Sequence, residues 1–129
     1  MHRDFTRAER RQLRELAGLA WDRELGAELA ELEAAFRQWR AGELSPHELS
    51  DRIHRFHNGA ARELYVLYTS RIHPSQLVAR AVAADILAES EVPAELLPAL
   101  ASAIEFYRTD WPSGVAETEE DDSTPVSGA

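Results

Sequence analysis

The stretch from Ser45 to Tyr68 holds three of the five histidines of this chain, and two of them follow an aspartate at three-residue intervals. Histidine nitrogens and carboxylate oxygens both bind divalent metals. On a helix, Asp51, His54 and His57 span about 9 Å along the axis, which is too far for all three to bind one ion. A pair of them still forms a site if a facing helix adds carboxylates. The spacing therefore defines one hypothesis, a divalent-metal site that uses a pair of these three residues, His54 with His57 or Asp51 with His54.

A second hypothesis treats the same stretch as a polar binding surface for a small ligand or a peptide. Asn58 and Arg62 lie one helical turn apart, a spacing that by itself stabilises a helix only slightly. Two histidines, an asparagine and a tyrosine beside an apolar edge are more than the solvation of a helix requires. The predicted binding residues are His54, His57, Asn58, Arg62, Glu63 and Tyr65.

A third hypothesis comes from an arginine and a histidine separated by four residues, Arg52 and His57. This spacing resembles the Arg-x(4–6)-His pattern of the α-helical ribonuclease domains found in many toxin modules. The pair Arg40 and His47 has a spacing within the same pattern. The resemblance implies an alternative function, a helical ribonuclease.

The residue types that the chain lacks exclude several kinds of chemistry. There is no cysteine, which excludes disulfides, thiolate metal ligands and a cysteine nucleophile. All 14 basic residues are arginine, so Schiff-base catalysis and the phosphate-binding lysine of a P-loop are excluded as well. Missing catalytic equipment favours a binding protein over an enzyme. Arginine without lysine, together with frequent alanine, indicates a GC-rich bacterial genome.

The net charge of −9 argues against nucleic acid as a partner, although Glu117–Asp122 alone supplies five of the negative charges. The N-terminal segment is charged throughout and lacks the apolar core of a signal peptide. No apolar run approaches the roughly 20 residues that a membrane span needs. The sequence therefore predicts a cytoplasmic protein with no membrane partner.

The first helix is predicted to begin at a capping box formed by Thr6 and Glu9, and to run to Arg40 before Gly42. Helical geometry divides it into two apolar stripes about 160° apart. The stripes consist of Leu13, Leu16, Leu19 and Ala20 before Trp21, and of Leu25, Leu29, Leu32, Phe36 and Trp39 after it. Either the chain breaks near Gly18, or one long helix has two packing partners. The second alternative predicts a homodimer through the N-terminal helix.

A second capping box, formed by Ser45 and Glu48 with Pro46 in the first helical position, predicts a helix over 46–70. This helix is expected to pair antiparallel with Trp21–Arg40 and to bury one apolar stripe. The stripe consists of Leu49, Ile53, Phe56, Ala60, Leu64 and Leu67. Its phase continues across Asn58 and Gly59, so we predict an uninterrupted or kinked helix with a close neighbour at Gly59. A break at this pair is the alternative.

Prolines mark the remaining helices, since Pro74 is predicted to open one and Pro93 another, with Pro98 kinking or restarting the latter. From Thr109 onward the chain is acidic and rich in serine, proline and glycine, which predicts disorder. The predicted fold class is therefore all-α. We expect a small bundle of four or five helices around the central antiparallel hairpin, forming one domain over 1–108, with a disordered acidic tail over 109–129.

The function predicted from these patterns is that of a non-enzymatic bacterial accessory or regulatory protein that acts by binding a protein partner. No cofactor is predicted apart from the divalent metal of the alternative site on His54 and His57. The sequence does not identify the partner. It assigns no catalytic residue.

Overall fold

The computed structural model of the protein describes residues 4–110, and every regular element among these residues is helical. The elements are α1 (Arg7–Arg40), α2 (Pro46–Arg55), a π-helical turn (Phe56–Ala61), α3 (Arg62–Thr69), α4 (Pro74–Ala83), two short 3₁₀ turns (Glu89–Glu91 and Ala94–Leu96) and α5 (Leu97–Asp110). The predicted all-α class is confirmed. None of the described helices combines the length and apolarity needed to cross a membrane.

The chain divides into two compact units, Met1–Val78 and Ala79–Ala129. The boundary falls inside α4, between Val78 and Ala79. The single domain over 1–108 and the bundle arrangement both stay predictions. The first unit contains the helices that carry the predicted site.

The start and the end of α1 follow the sequence signals. The Thr6 hydroxyl accepts a hydrogen bond from the Glu9 N–H, and the Glu9 carboxylate accepts one from the Thr6 N–H, each at 3.0 Å. The helix runs unbroken past Gly18 to Arg40, and Gly42 follows with a φ of 82°, a left-handed conformation that commonly ends helices. The alternative of a break near Gly18 is therefore wrong, because an internal glycine costs a long helix only about 1 kcal/mol.

The N-terminal half of α1 is buried within the single chain. Leu13 and Ala20 have no exposed surface, and Ala17 is 7% exposed. Leu16 and Leu19 are half-buried, so the chain itself covers most of the stripe that suggested a second subunit. A homodimer through this stripe stays a prediction, but the observation that motivated it has another explanation.

The segments α2, the π turn and α3 follow one another without a break, and we call them together the second rod. Its first turn is fixed by the predicted capping box. The Ser45 hydroxyl accepts from the Glu48 N–H at 3.1 Å, and the Glu48 carboxylate accepts from the Ser45 N–H at 2.8 Å. These two bonds satisfy backbone donors that the start of a helix otherwise leaves unpaired.

The second rod runs antiparallel to α1. Trp21, in the first half of α1, stacks on Tyr68 at the end of the rod, with ring centroids 5.6 Å apart and planes 5° from parallel. Ala35, near the end of α1, shares a cavity wall with Phe56, which lies nearer the start of the rod. The short connection over 41–45 is what allows this arrangement.

The π turn contains one residue more than an α-helical turn, and this rotates every later residue by about 100°. In an uninterrupted α-helix Tyr68 would lie about 100° from the buried Leu49. The extra residue brings Tyr68 into line with Leu49, where it stacks on Trp21. Leu67, predicted on the buried face, moves away from it by the same angle. The uninterrupted helix was predicted, but its extra residue was not.

Two details of the predicted packing of the second rod are wrong. Ile53, expected in the core, is 38% exposed, because it lies about 40° to the side of Leu49 and outside the packed line. Gly59 has no close neighbour, since a Cβ added there would meet no atom within 4 Å. The glycine faces open space.

In the second unit, α4 ends at Ala83 because Asp85 adopts a left-handed conformation with a φ of 63°. The helix that was predicted from Pro93 begins as a 3₁₀ turn and restarts at Leu97, with Pro98 in its first turn. Leu96, Leu100 and Ile104 form its buried line. Helix α5 continues to Asp110, two residues beyond the predicted domain end, and the rest of the predicted tail lies outside the described residues.

Candidate functional site

All six predicted binding residues lie on the second rod, and all are exposed. His54 is in the last turn of α2, His57 and Asn58 are in the π turn, and the other three are in α3. This exposure leaves the side chains accessible to a partner, as the binding-surface hypothesis requires. It does not by itself bring the six into one site.

Arg62 and Glu63 line a groove on α3 and the turn after it, with a volume of about 380 Å³. The groove residues are Arg62, Glu63, Val66, Leu67, Ser70 and Ile72. Val66 is 53% exposed and Ile72 is 42% exposed, so aliphatic side chains meet solvent beside two opposite charges. The other four predicted residues are not among those that line the groove.

Two structural features build this groove. The π turn rotates Leu67 away from the packed face of the rod, which places an aliphatic side chain at the groove wall. The Ser70 hydroxyl donates a hydrogen bond to the Leu67 carbonyl at 2.8 Å and accepts one from the Ile72 N–H at 3.3 Å. These bonds fold the chain back after α3, and Ile72 is thereby held beside the last helical turn. The groove is shaped by backbone geometry before any partner binds.

Tyr65 belongs to an aromatic contact between the second rod and α1. Its ring meets Trp21 edge-to-face at 6.2 Å, while 60% of the residue remains exposed. Next to it, the Tyr68 hydroxyl donates a hydrogen bond to the Glu24 carboxylate. Tyr65 therefore contributes to helix packing with one edge and offers the rest of its surface to solvent.

Comparison with known proteins does not assign a role to these residues. Comparison of the chain with protein-family models, with curated proteins and with solved structures found no match. The roles of the groove and of the histidines rest on the geometry of this chain alone.

A second concave site lies between α1 and the second rod and has a volume of about 240 Å³. Its lining residues are Glu28, Glu31, Leu32 and Ala35 from α1, and Arg52, Arg55, Phe56 and Ala60 from the second rod. Two glutamates of α1 and two arginines of the second rod thus line one cavity together with apolar side chains. Attraction between exposed charges of this kind contributes little stability.

This cavity bears on the metal hypothesis. The hypothesis needs carboxylates of α1 opposite His54 and His57, but Glu28 and Glu31 share their cavity with arginines. Glu24, a third carboxylate on that side of α1, accepts the Tyr68 hydrogen bond. Within residues 4–110, no three histidine, aspartate or glutamate side chains come close enough to hold an ion. The metal site on Asp51, His54 and His57 stays a prediction, and the arrangement of these carboxylates does not support it.

The ribonuclease hypothesis needs Arg52 and His57 in one site. Arg52 lines the cavity between the helices, whereas His57 is exposed at the start of the π turn and is not part of that lining. The structure therefore does not join the two side chains in that cavity. The ribonuclease alternative stays a prediction.

The sequence did not predict the groove, because the buried face of the helix over 46–70 was assigned from one continuous helical phase. Val66 is a large aliphatic residue on the polar side of that phase, and Ile72 lies in the connection to α4. Both are apolar residues where solvation alone would favour polar ones. A search for apolar residues outside the buried stripe would have found them.

Proposed function

We propose that this protein is a non-enzymatic accessory protein that binds a partner protein through the groove of α3. The exposed aliphatic pair Val66 and Ile72 at the groove wall is the observation that carries the proposal. Exposed apolar patches that are rimmed by polar residues mark interaction sites on soluble proteins. The bacterial and cytoplasmic setting expected from the sequence is part of the same proposal.

The partner segment that fits this groove is an amphipathic helix. Helix-in-groove recognition places apolar side chains at helical spacing into an apolar cleft and leaves the polar side of the helix in water. The groove offers aliphatic side chains with Arg62 and Glu63 beside them. A partner helix with both an acidic and a basic residue next to its apolar stripe would complement these charges. Such rim charges set orientation and association rate more than affinity.

Site-specific photo-crosslinking in the native cells tests the proposal. A benzophenone amino acid replaces Val66 at the groove wall, and in a matched control it replaces Ala30, which is exposed on α1 outside the groove. We expect a discrete crosslinked product from position 66 that does not form from position 30. Two further variants, Ile72→Asp and Arg71→Asp, introduce the same charge inside and just outside the groove lining.

Burial of the new carboxylate against the partner should weaken binding in Ile72→Asp by about tenfold or more, whereas Arg71→Asp should bind like the wild type. Both positions are exposed, so both variants should fold. Identical products from positions 66 and 30, or equal effects of the two aspartates, would contradict the proposal.

A further inference from the structure

The C-terminal half of α1 carries five large apolar residues at alternating spacings of four and three. They are Leu25, Leu29, Leu32, Phe36 and Trp39, and we call them the seam. This spacing is the heptad pattern in which two helices pack along a shared apolar line. The seam extends over about 21 Å of helix axis.

The seam is only partly covered within the chain, since Leu25 and Leu32 are half-buried and the other three residues are exposed. Leu29, Phe36 and Trp39 are 46%, 36% and 39% exposed, which is high for residues of this size. The rings of Phe36 and Trp39 meet edge-to-face at 6.4 Å, so they form one continuous aromatic surface. An apolar line of this length on a helix surface is typical of a protein contact.

The helical hairpin leaves the outer edge of the seam free because it uses a different side of α1. Ala35, which is 2% exposed, lies in the cavity wall that faces the second rod. Phe36 and Leu29 lie about 100° to 120° around the helix from Ala35. The inner edge of the seam lies closer to that side, since Trp39 and Leu32 are about 40° and 60° from Ala35, and Leu32 lines the cavity.

The charges beside the seam favour a second copy of this same segment. Glu28 lies on one flank of the heptad pattern, and Glu33 and Arg40 lie on the other. In a parallel pair Glu33 of one copy would meet Glu28 of the other, and the like charges would repel. In an antiparallel pair the flank with Glu33 and Arg40 meets its own copy. The register that sets Glu33 beside Arg40 of the partner subunit brings opposite charges together, in addition to the ion pair that Glu33 makes with Arg37 of its own helix at 3.5 Å.

We propose that the protein forms an antiparallel homodimer through the seam of α1. The two-fold symmetry makes one patch complementary to itself, as in most homodimers. The intrachain contacts already hold α1 as a helix, so dimerisation does not have to supply the cost of forming it. This surface is separate from the groove of α3, and the dimer does not depend on the proposed partner binding.

Sedimentation equilibrium over a range from low to high micromolar concentration tests the dimer. The wild-type mass should rise from 14.5 kDa toward twice that value. Phe36→Glu places a charge in the seam and should weaken dimerisation by about tenfold or more. Ala30→Glu adds the same charge to an exposed position outside the seam and should dimerise like the wild type. Circular dichroism of both variants checks that α1 remains helical.

A charge reversal tests the orientation. In the antiparallel dimer Glu33→Arg brings arginine against Arg40 of the partner subunit, so it should weaken dimerisation, and Glu33→Arg with Arg40→Glu should restore it. In a parallel dimer Glu33→Arg would instead strengthen dimerisation by pairing with Glu28 of the partner subunit. A wild-type mass of 14.5 kDa at every concentration, equal effects of Phe36→Glu and Ala30→Glu, or a stronger dimer with Glu33→Arg would each overturn the proposal.

Discussion

Each half of α1 carries an apolar stripe, and the two stripes differ in how much of their surface the rest of the chain covers. In the N-terminal half, Leu13 has no exposed surface, and the alanines beside it are also buried. In the C-terminal half, Leu29 keeps 46% of its surface exposed, and Phe36 and Trp39 are exposed to a similar degree. The half with the larger side chains is the one that keeps more of its apolar surface exposed.

An apolar stripe in the sequence therefore indicates which face of a helix is apolar, but it does not indicate which part of the protein covers that face. The sequence assigned the stripe of the C-terminal half to the hairpin. For the stripe of the N-terminal half it left two alternatives, a break near Gly18 or a second subunit. In the structure the N-terminal stripe is buried or half-buried within the chain, whereas three residues of the C-terminal stripe stay exposed.

The largest predicted effect comes from comparing one leucine in each half of α1. Leu13→Ala removes a fully buried side chain and should lower the free energy of unfolding by about 2–5 kcal/mol, because it leaves a cavity. Leu29→Ala should lower it by only about 1 kcal/mol, because 46% of that residue is exposed to water. Urea denaturation of dilute protein measures both. Equal losses would show that the two halves are equally buried.

A smaller effect is expected where the second rod begins its contact with α1. Ser45→Ala removes the hydroxyl that caps the rod and should cost about 1 kcal/mol of unfolding free energy. The matched variant Ser50→Ala changes an exposed serine of α2 that caps nothing and should be close to neutral. A neutral Ser45→Ala would mean that the cap does not hold the rod in place.

The same cap should make stability depend on pH. The Ser45 N–H donates to the Glu48 carboxylate, and this bond, with a smaller contribution from the Ser45 side chain, holds the pKa of Glu48 below its ordinary value of 4.5. A lowered folded-state pKa stabilises the fold above pH 4.5, and this stabilisation is lost as the pH falls through the folded value. Glu48→Gln should therefore lose less stability than the wild type on acidification. Parallel pH curves would contradict this.

The smallest predicted effects come from two glycines of α1, one in each half of the helix. Gly18→Ala lies in the buried half and Gly26→Ala in the exposed half, and an added Cβ meets no atom within 4 Å at either position. Each substitution should raise the free energy of unfolding by about 0.5–1 kcal/mol, because alanine loses less backbone entropy in a helix. A destabilising Gly18→Ala alone would indicate that α1 is not one continuous helix.

Local sequence signals predicted the helix starts well. Both capping boxes, Gly42 after α1 and the restart near Pro98 depend on neighbouring residues only, and the structure contains all of them. The π turn could not be predicted in this way. Its extra residue is compatible with the same local sequence as an α-helix, and the stacking of Tyr68 on Trp21, 47 residues apart in the chain, accompanies it.

The candidate site was predicted only in part for the same reason. Arg62 and Glu63 were named from the sequence, and they line the groove. Leu67 was assigned to the core, and the rotation by the π turn moves it to the groove wall. The pairing of His54 and His57 with the carboxylates of α1 depended on which residues face each other across the hairpin. Spacing along one helix does not determine that.

Fluorescence quenching of Trp39 tests most directly whether the C-terminal stripe of α1 is uncovered. Replacing Trp21 and Trp111 by phenylalanine leaves Trp39 as the single indole, and a second variant that keeps only the half-buried Trp21 serves as the less exposed reference. In dilute protein, acrylamide should quench Trp39 more strongly than Trp21, and raising the protein concentration should protect Trp39 as the dimer forms. A Trp39 that is as protected as Trp21 in the most dilute protein would contradict an uncovered stripe.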